Sequence, residues 1–388
     1  MRILVVHNTL NDSHSVSGVL RHYAWMANEW TAAGHPTDFL VAKAGWPQLK
    51  KLAPRSDLIS SDNLFDATRY LSRTWAYLPA YGLRMAGAHW LRVPVRYDVI
   101  YASSQLIFEV YPAMVLARRQ RTRWAVKFHH VLASQPGRTG LFDRLFQWSE
   151  RQSLRWINRR AGLVICSTAI VANDLHALEA RLGLPPKHTV QIGYGVDLSA
   201  SHPPSQSPQF DAVFLGRLHE HKGVFDLALV WQLVLQEKPG ARLLVIGEGP
   251  QRQRIEDAFR EMGIHSSVTF TGGIGEEEKN ARLAQCRVGM SLSFEEGWGL
   301  SITEFLAAGL PVVAYELPVF GLVFPGQLDL VKAGDKQRLA RQILALLNDE
   351  ARRRSRGQQG RKFIERYDYR QVARNELASL EELAAQPH

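Results

Sequence analysis

Twice along this chain, short apolar runs of strand character alternate with stretches of helical periodicity, and no other feature limits the fold so strongly. The first series has strand-like runs at residues 3–7, 37–42, 98–102, 124–129 and 161–166, with a helical pattern at 19–33. The second has runs at 211–216, 242–247, 267–272, 288–293 and 311–316, separated by helical patterns at 224–237, 251–262, 277–284 and 300–308. A strand that returns parallel to its predecessor needs a crossover, and a helix supplies it. The alternation therefore predicts two doubly wound parallel sheets. Residues 199–209 (SASHPPSQSPQ) carry neither periodicity and read as a linker. At 388 residues the chain exceeds what one core serves. The expected division is a first domain at 1–198, the linker at 199–209 and a second domain at 210–388. The helical tail from Gln337 presents Leu339, Ile343, Leu346 and Leu347 as a stripe, and its last turns are free to pack back on the first domain.

Composition removes several classes. Cys166 and Cys286 are the only cysteines, and both stand in apolar runs, which excludes a disulfide framework and a cysteine-built zinc site and suits a reducing compartment. Residues 1–7 read as a first strand rather than a signal peptide. The most lipid-like stretch, 99–117, is broken by Ser103, Ser104, Gln105 and Glu109. The net charge of +10 belongs to the first half, where residues 1–200 hold 24 Lys and Arg against 13 Asp and Glu. Arg69, Arg73, Arg84, Arg92 and Arg96 interleave with Tyr70, Trp75, Tyr77, Tyr81, Trp90 and Tyr97, a pattern suited to an anionic headgroup surface. Arg118, Arg119, Arg121, Arg123, Lys127, Arg144, Arg151, Arg155, Arg159 and Arg160 could extend that face. Basic aromatic patches also fit single-stranded nucleic acid, but no nucleic-acid motif accompanies this one, so no nucleic-acid partner is expected.

Ligands of open α/β sheets bind at the C-terminal ends of the strands, which directs attention to a cleft between the domains. There the segment Gly216-Arg217-Leu218-His219-Glu220-His221-Lys222-Gly223 follows the first strand of the second series. Two cations at a strand end suit a diphosphate: Arg grips phosphate oxygens bidentately, and Lys neutralises a leaving group. The competing assignment pairs them with Glu220 or Asp226. Further on, residues 291–315 place Glu296 and Glu304 eight positions apart around Gly297-Trp298-Gly299, with a helix expected from about Gly299. One carboxylate in the loop, one in the second turn, and helix-terminal amides between them would suit a sugar, a diphosphate and a ribose in a row.

These motifs, with Val245-Ile246-Gly247-Glu248-Gly249-Pro250, Val268-Thr269-Phe270-Thr271-Gly272 and Ala308-Gly309-Leu310-Pro311-Val312-Val313 in the same order, resemble those of the GT-B retaining glycosyltransferases of family 4. Ile192-Gly193-Tyr194-Gly195-Val196-Asp197 is similar to the family's Asn-Gly-Val-Asp segment. The resemblance implies two Rossmann-like domains facing a cleft, the first for acceptor and the second for donor. It implies that Arg217 and Lys222 bind the donor diphosphate, that Glu304 holds ribose hydroxyls and Glu296 the transferred sugar. The amides of Gly297, Trp298, Gly299, Leu300 and Ser301 would face sugar and distal phosphate. His129 matches a family histidine near the donor sugar, with His130 as its neighbouring candidate. Where the family has two adjacent glycines after the first strand, this chain has Ser17-Gly18, leaving Gly18 for the phosphate approach. The turn at Gly247 and Gly249 is expected to serve backbone packing.

No Asp-x-Asp triplet occurs, so no metal and no cofactor are expected. The implied reaction is transfer of a hexose-type sugar, with retention, from a nucleotide diphosphate sugar to a glycan or lipid-linked acceptor in polysaccharide or glycolipid assembly. The expected location is the cytoplasm, peripheral on the inner face of the plasma membrane. Two other readings stay open: a nucleotide-sugar epimerase or hydrolase on the same fold, and a noncatalytic sugar-nucleotide-binding protein.

Overall fold

The computed structural model describes residues 1–8, 18–62, 77–134 and 141–386. They form two compact units, Met1–Gly195 together with Tyr369–His388, and Val196–Asp368.

In the first unit the strands are β1 (Ile3–His7), β2 (Thr37–Val41), β3 (Leu58–Ser60), β4 (Val99–Ala102), β5 (Arg123–Phe128), β6 (Leu163–Cys166) and β7 (Thr189–Gln191). They make one sheet in the order β3-β2-β1-β4-β5-β6-β7, each neighbouring pair parallel. Every residue of β1, β2, β4 and β6 is buried. A strand covered on both faces needs apolar residues on both, so these segments are mostly apolar rather than alternating, with His7, Thr37 and Asp38 as buried polar members. The edge strands β3 and β7 have three residues each, too few to leave a periodic signal, and the sequence reading misses them.

The second unit repeats the plan with β8 (Phe210–Leu215), β9 (Leu243–Ile246), β10 (Val268–Gly272), β11 (Cys286–Ser291), β12 (Val312–Tyr315) and β13 (Leu328–Val331), ordered β10-β9-β8-β11-β12-β13. All its pairs are parallel too. The strand order reverses between β1 and β4 in the first sheet and between β8 and β11 in the second. At such a switch point adjacent loops diverge to opposite faces and leave a crevice at the strands' C-terminal ends.

The division of the chain departs from the sequence reading at the linker, and its tail packs back on the first unit. Residues 199–209 do not stand free: the amides of Ser205 and Gln209 donate to the carbonyls of Ala284 (2.7 Å) and Gln285 (2.9 Å), both in the second unit. Pro and Ser forbid regular structure there without detaching the segment. The terminal helix Tyr369–Ala385 belongs to the first unit, where Val372, Leu377, Leu380 and Leu383 join the core around Trp30 and Tyr101. At about 1.5–3 kcal/mol for each large apolar side chain, this helix is part of that core rather than an appendage. Two glycines admit it. A Cβ on Gly195 would lie 2.3 Å from the Tyr369 Cα, and one on Gly162 2.4 Å from the Leu383 Cδ1.

Three members of the expected basic aromatic face are interior. Lys127 is fully buried, Arg84 donates to the Asn8 carbonyl at 2.6 Å, and the Tyr97 hydroxyl donates to Asp38 at 2.8 Å. Lys127 sits mid-strand on β5 and Arg84 on an apolar helix, so sequence proximity to other arginines did not make them surface cations. Arg69, Tyr70, Arg73 and Trp75 lie outside the described residues. Trp90 (76% exposed), Arg92 and Arg96 remain on the surface. No described helix is long and apolar enough to cross a membrane.

Candidate functional site

In the second unit β8 ends at Leu215, and the loop that follows carries Arg217 and a short turn Glu220–Lys222. Its path is fixed by Gly223. With φ of 69° and a Cβ position only 1.9 Å from the Leu292 carbonyl oxygen, no other residue lets the loop close onto the segment after β11. The Phe294 amide donates to the His221 carbonyl at 2.8 Å and makes a second stitch. Lys222 and Glu296, 74 positions apart, thereby become one ion pair, with Nζ 2.6 Å from Oε1. The same oxygen accepts from the Ser293 hydroxyl at 2.8 Å. The Lys222 side chain is 21% exposed and that of Glu296 11%, so solvent reaches the pair from one side.

Behind this loop stands the Gly247–Gly249 turn, in the backbone role expected of it. A Cβ on Gly247 would fall 1.9 Å from the Gly216 oxygen, one on Gly249 2.3 Å from the Leu218 oxygen, and the Leu218 amide donates to the Glu248 carbonyl at 2.8 Å. Arg217 is exposed and its guanidinium has no partner among the described residues. The acids that could have taken the two cations are engaged elsewhere. Asp226 accepts from the Tyr315 hydroxyl (2.8 Å) and pairs with Lys336 (3.2 Å), while Glu220 accepts from Gln251 (3.2 Å).

Beyond Glu296 and Gly297, helix Leu300–Ala307 opens at Gly299, whose φ is 105°, with no side-chain cap and no acid in its first turn. Its leading amides, Leu300 and Ser301 among them, form the positive end of the helix. Trp298 is a brace: its indole donates to the Thr303 hydroxyl at 3.1 Å and its ring packs edge-on against Tyr367 at 5.0 Å. A side chain held in this way leaves only backbone for a ligand at that position. Glu304 lies in the helix's second turn and its Oε1 is 2.8 Å from Lys279 Nζ, which also holds Glu276 at 2.8 Å. The two glutamates thus answer to two different lysines. Lys279 escapes the sequence reading because it sits in the run Glu276-Glu277-Glu278-Lys279, which resembles a solvated helix face. His219 and His221, also unread, meet through their Nδ1 atoms at 2.7 Å. Burial first, then Lys222 and His219, pushes His221 down to about 4, so it is neutral at pH 7.

In the first unit Gly18 opens the helix Gly18–Ala32, and Ser17 lies outside the described residues. His129 follows β5. Its Nε2 is 2.6 Å from the Ser103 carbonyl oxygen, which can only accept, so Nε2 carries the proton and Nδ1 accepts from the Tyr194 hydroxyl. Burial, with Lys127 and His130 adding repulsion, lowers the ring well below the usual histidine range. A neutral ring with both nitrogens engaged is set up for positioning rather than proton transfer. The neighbouring His130 offers its carbonyl to Gln105 at 2.6 Å. Below them the Lys127 ammonium is enclosed by Glu376 (2.7 Å), His22 (3.1 Å) and the Gly193 carbonyl (3.2 Å).

Two family models match the chain in succession, glycosyl transferase 4-like domain over residues 17–195 and glycosyl transferases group 1 over residues 200–363. The chain belongs to the glycosyl transferases group 1 family. Sulfoquinovosyl transferase SQD2 of Arabidopsis thaliana is 26% identical over 292 residues, 70% of this chain and 54% of the plant protein. Glycogen synthase of Mycobacterium tuberculosis (strain ATCC 25618 / H37Rv) is 26% identical over 286 residues, 72% and 67% of the two chains. This group 1 chain therefore spans about half the length of the first relative and two thirds of the second. Among solved structures, Anabaena Alr3699/HepE in complex with UDP-glucose matches with a TM-score of 0.76 at 18% identity, covering 98% of this chain and 100% of that one. The pneumococcal O-GlcNAc transferase GtfA in complex with UDP and GlcNAc matches at 0.75 and 12%, covering 100% and 99%. At those identities the likeness is one of fold, and the fold is GT-B.

Proposed function

We propose that this group 1 protein is a retaining, metal-independent transferase that moves a hexose-type sugar from a nucleotide diphosphate sugar to a glycan or lipid-linked acceptor. The observation that carries the reading is the set of groups at the β8/β11 switch point. Exposed Arg217, the Lys222–Glu296 pair and the uncapped first turn of helix Leu300–Ala307 all stand at strand C-terminal ends, where this topology binds ligands. A diphosphate would draw on Arg217, Lys222 and the helix amides. Glu296 would take sugar hydroxyls, and Glu304, oriented by Lys279, ribose hydroxyls. As the glycosidic C–O bond breaks, Lys222 offsets the charge growing on the leaving phosphate, whose oxygen accepts the proton of the incoming hydroxyl on the same face. His129, neutral and doubly hydrogen-bonded, positions rather than titrates. The metal-independent assignment rests on Arg217 and Lys222 supplying the positive charge that a divalent ion would otherwise bring.

Similar proteins support the donor class, since the HepE structure holds UDP-glucose and the GtfA structure UDP and GlcNAc. For the acceptor, phosphatidyl-myo-inositol mannosyltransferase of Mycobacterium leprae, 31% identical over 196 residues, carries a lipid in its name. With Trp90, Arg92 and Arg96 exposed, we assign the chain to the cytoplasmic face of the plasma membrane, in assembly of a surface polysaccharide or glycolipid. The test is nucleotide release from a panel of nucleotide sugars, with and without candidate acceptors. Acceptor-dependent sugar transfer, abolished by Glu296→Ala and by Lys222→Ala in folded protein, supports the reading. Full activity in either variant refutes the site, and turnover that ignores acceptor points to a hydrolase or epimerase.

A further inference from the structure

The second unit has another charged cavity at the opposite end of its sheet. It encloses about 700 Å³. Its walls come from the segments that lead into β8, β11 and β12 and from helix Glu350–Ile364, so it lies at the strands' N-terminal ends, whereas Arg217 and Glu296 follow their C-terminal ends. A six-residue strand such as β11 spans roughly 20 Å, which puts the length of the strands between the two places. Four arginines, Arg287, Arg353, Arg354 and Arg361, line it against a single carboxylate, Glu350, which pairs with Arg354 at 2.5 Å.

Arg354 and Arg287 each have one carboxylate partner, Glu350 and Asp211, while Arg353 and Arg361 are held by main chain alone. Arg353 is anchored by donating to the carbonyls of Leu346 (3.2 Å) and Leu347 (3.4 Å), and Arg361 by donating to that of Ala307 (2.7 Å). Neither makes an ion pair among the described residues. Arg287 reaches Asp211 with one terminal nitrogen at 3.2 Å, while its Nε is buried without an acceptor. Burial, followed by repulsion from Arg287, holds Arg353 below the usual arginine range. Four like charges gathered around a cavity with one lining carboxylate, two of them anchored to main-chain carbonyls through a single guanidinium nitrogen and a third with a buried donor left over, are an arrangement that an anion relieves. Guanidinium forks match phosphoryl oxygens in particular. Two glycines of the same helix fix the wall: a Cβ on Gly357 would fall 2.1 Å from the Gly309 oxygen, and one on Gly360 2.6 Å from Leu306 Cδ2. The cavity volume falls within the range of small-molecule pockets.

We propose that this cavity is a second anion site, separate from the donor edge, for a small organic phosphate with a sugar-sized body. The test titrates inorganic pyrophosphate and a hexose 6-phosphate into the full chain, as wild type, Lys222→Ala, Arg353→Ala and Arg354→Ala, by calorimetry. Arg354 is mostly exposed, so its variant folds even if Arg353→Ala does not. The expected result is saturable binding below the millimolar range by the hexose phosphate, kept in Lys222→Ala, weakened by added salt and at least tenfold weaker in the arginine variants. Absence of saturable binding to wild type, or binding that Arg354→Ala retains in full, overturns the proposal.

Discussion

Replacing Glu376 by Gln removes one charge from the interior of the first unit and leaves its shape intact. In the native chain the Lys127 ammonium and the Glu376 carboxylate are both fully buried, 2.7 Å apart, and the second carboxylate oxygen accepts from the Tyr101 hydroxyl at 2.8 Å. After the substitution Lys127 keeps the His22 ring and the Gly193 carbonyl but no countercharge. Breaking a buried pair from one side costs about 3–5 kcal/mol. In a unit of this size each kcal/mol moves the midpoint by about 2–4 °C, so a fall of roughly 6–20 °C is expected in a thermal melt followed by circular dichroism. The remaining ammonium adds a signature. Its folded pKa drops further below the unfolded value of 10.5, the folded state then binds fewer protons than the unfolded, and the variant gains stability as pH rises toward 10.5, more steeply than wild type. Lys127→Met with Glu376→Leu should recover most of the loss, because neither desolvated charge remains. A single-variant cost under about 1 kcal/mol, or a double variant no better than the single, refutes the reasoning.

Gly223→Ala should collapse donor-dependent activity and lower the melting temperature, since the new Cβ meets the Leu292 carbonyl at 1.9 Å and Lys222 can no longer reach Glu296; a fully active variant contradicts this. Stability should fall between about pH 6.5 and pH 4. There the unfolded chain binds protons that His22 and His221, both pushed down to about 4 chiefly by burial, do not bind when folded, and His129 acts in the same direction. Glu376, lowered to about 2 by Lys127 and His22 against the opposing effect of burial, contributes stability that is present above about pH 4.5 and lost as pH falls through its folded value. Melting points across pH 4–8 check the first window, and a flat profile contradicts it. Chelation of divalent metal by EDTA should leave sugar transfer within about twofold, and loss of activity restored by added metal would sink the metal-independent assignment.

Continuous apolar runs such as those opening β1 and filling β9 make the two sheets legible in sequence, because a strand buried on both faces has few polar residues to blur it. Edge strands of three residues and the half-buried β13 left no such trace. Around Arg217 and Glu296 the motif residues stand out through their order along the chain. What they touch does not. That Lys222 meets Glu296 depends on Gly223 and on a stitch from Phe294 to His221, and that Glu304 answers to Lys279 depends on a helix 25 positions upstream. Trp298 looked like part of a ligand loop, and only the packing of Tyr367 and Phe324 around its ring shows it as a brace. Lys127 and Arg84 group with surface cations in sequence because charge there carries no information on depth. Glu376, 249 positions from Lys127, was invisible as its partner.

The proposed function requires a nucleotide diphosphate to be held at the C-terminal ends of β8 and β11. Calorimetric titration of uridine diphosphate, with guanosine and adenosine diphosphates beside it, into wild type and into Lys222→Ala tests this most directly. A lost charge-assisted hydrogen bond is worth about 1.5–3 kcal/mol, so at least one diphosphate should bind wild type and bind Lys222→Ala roughly tenfold to a hundredfold more weakly, with the melting temperature of the free protein little changed. Equal affinity in the two proteins would contradict the account.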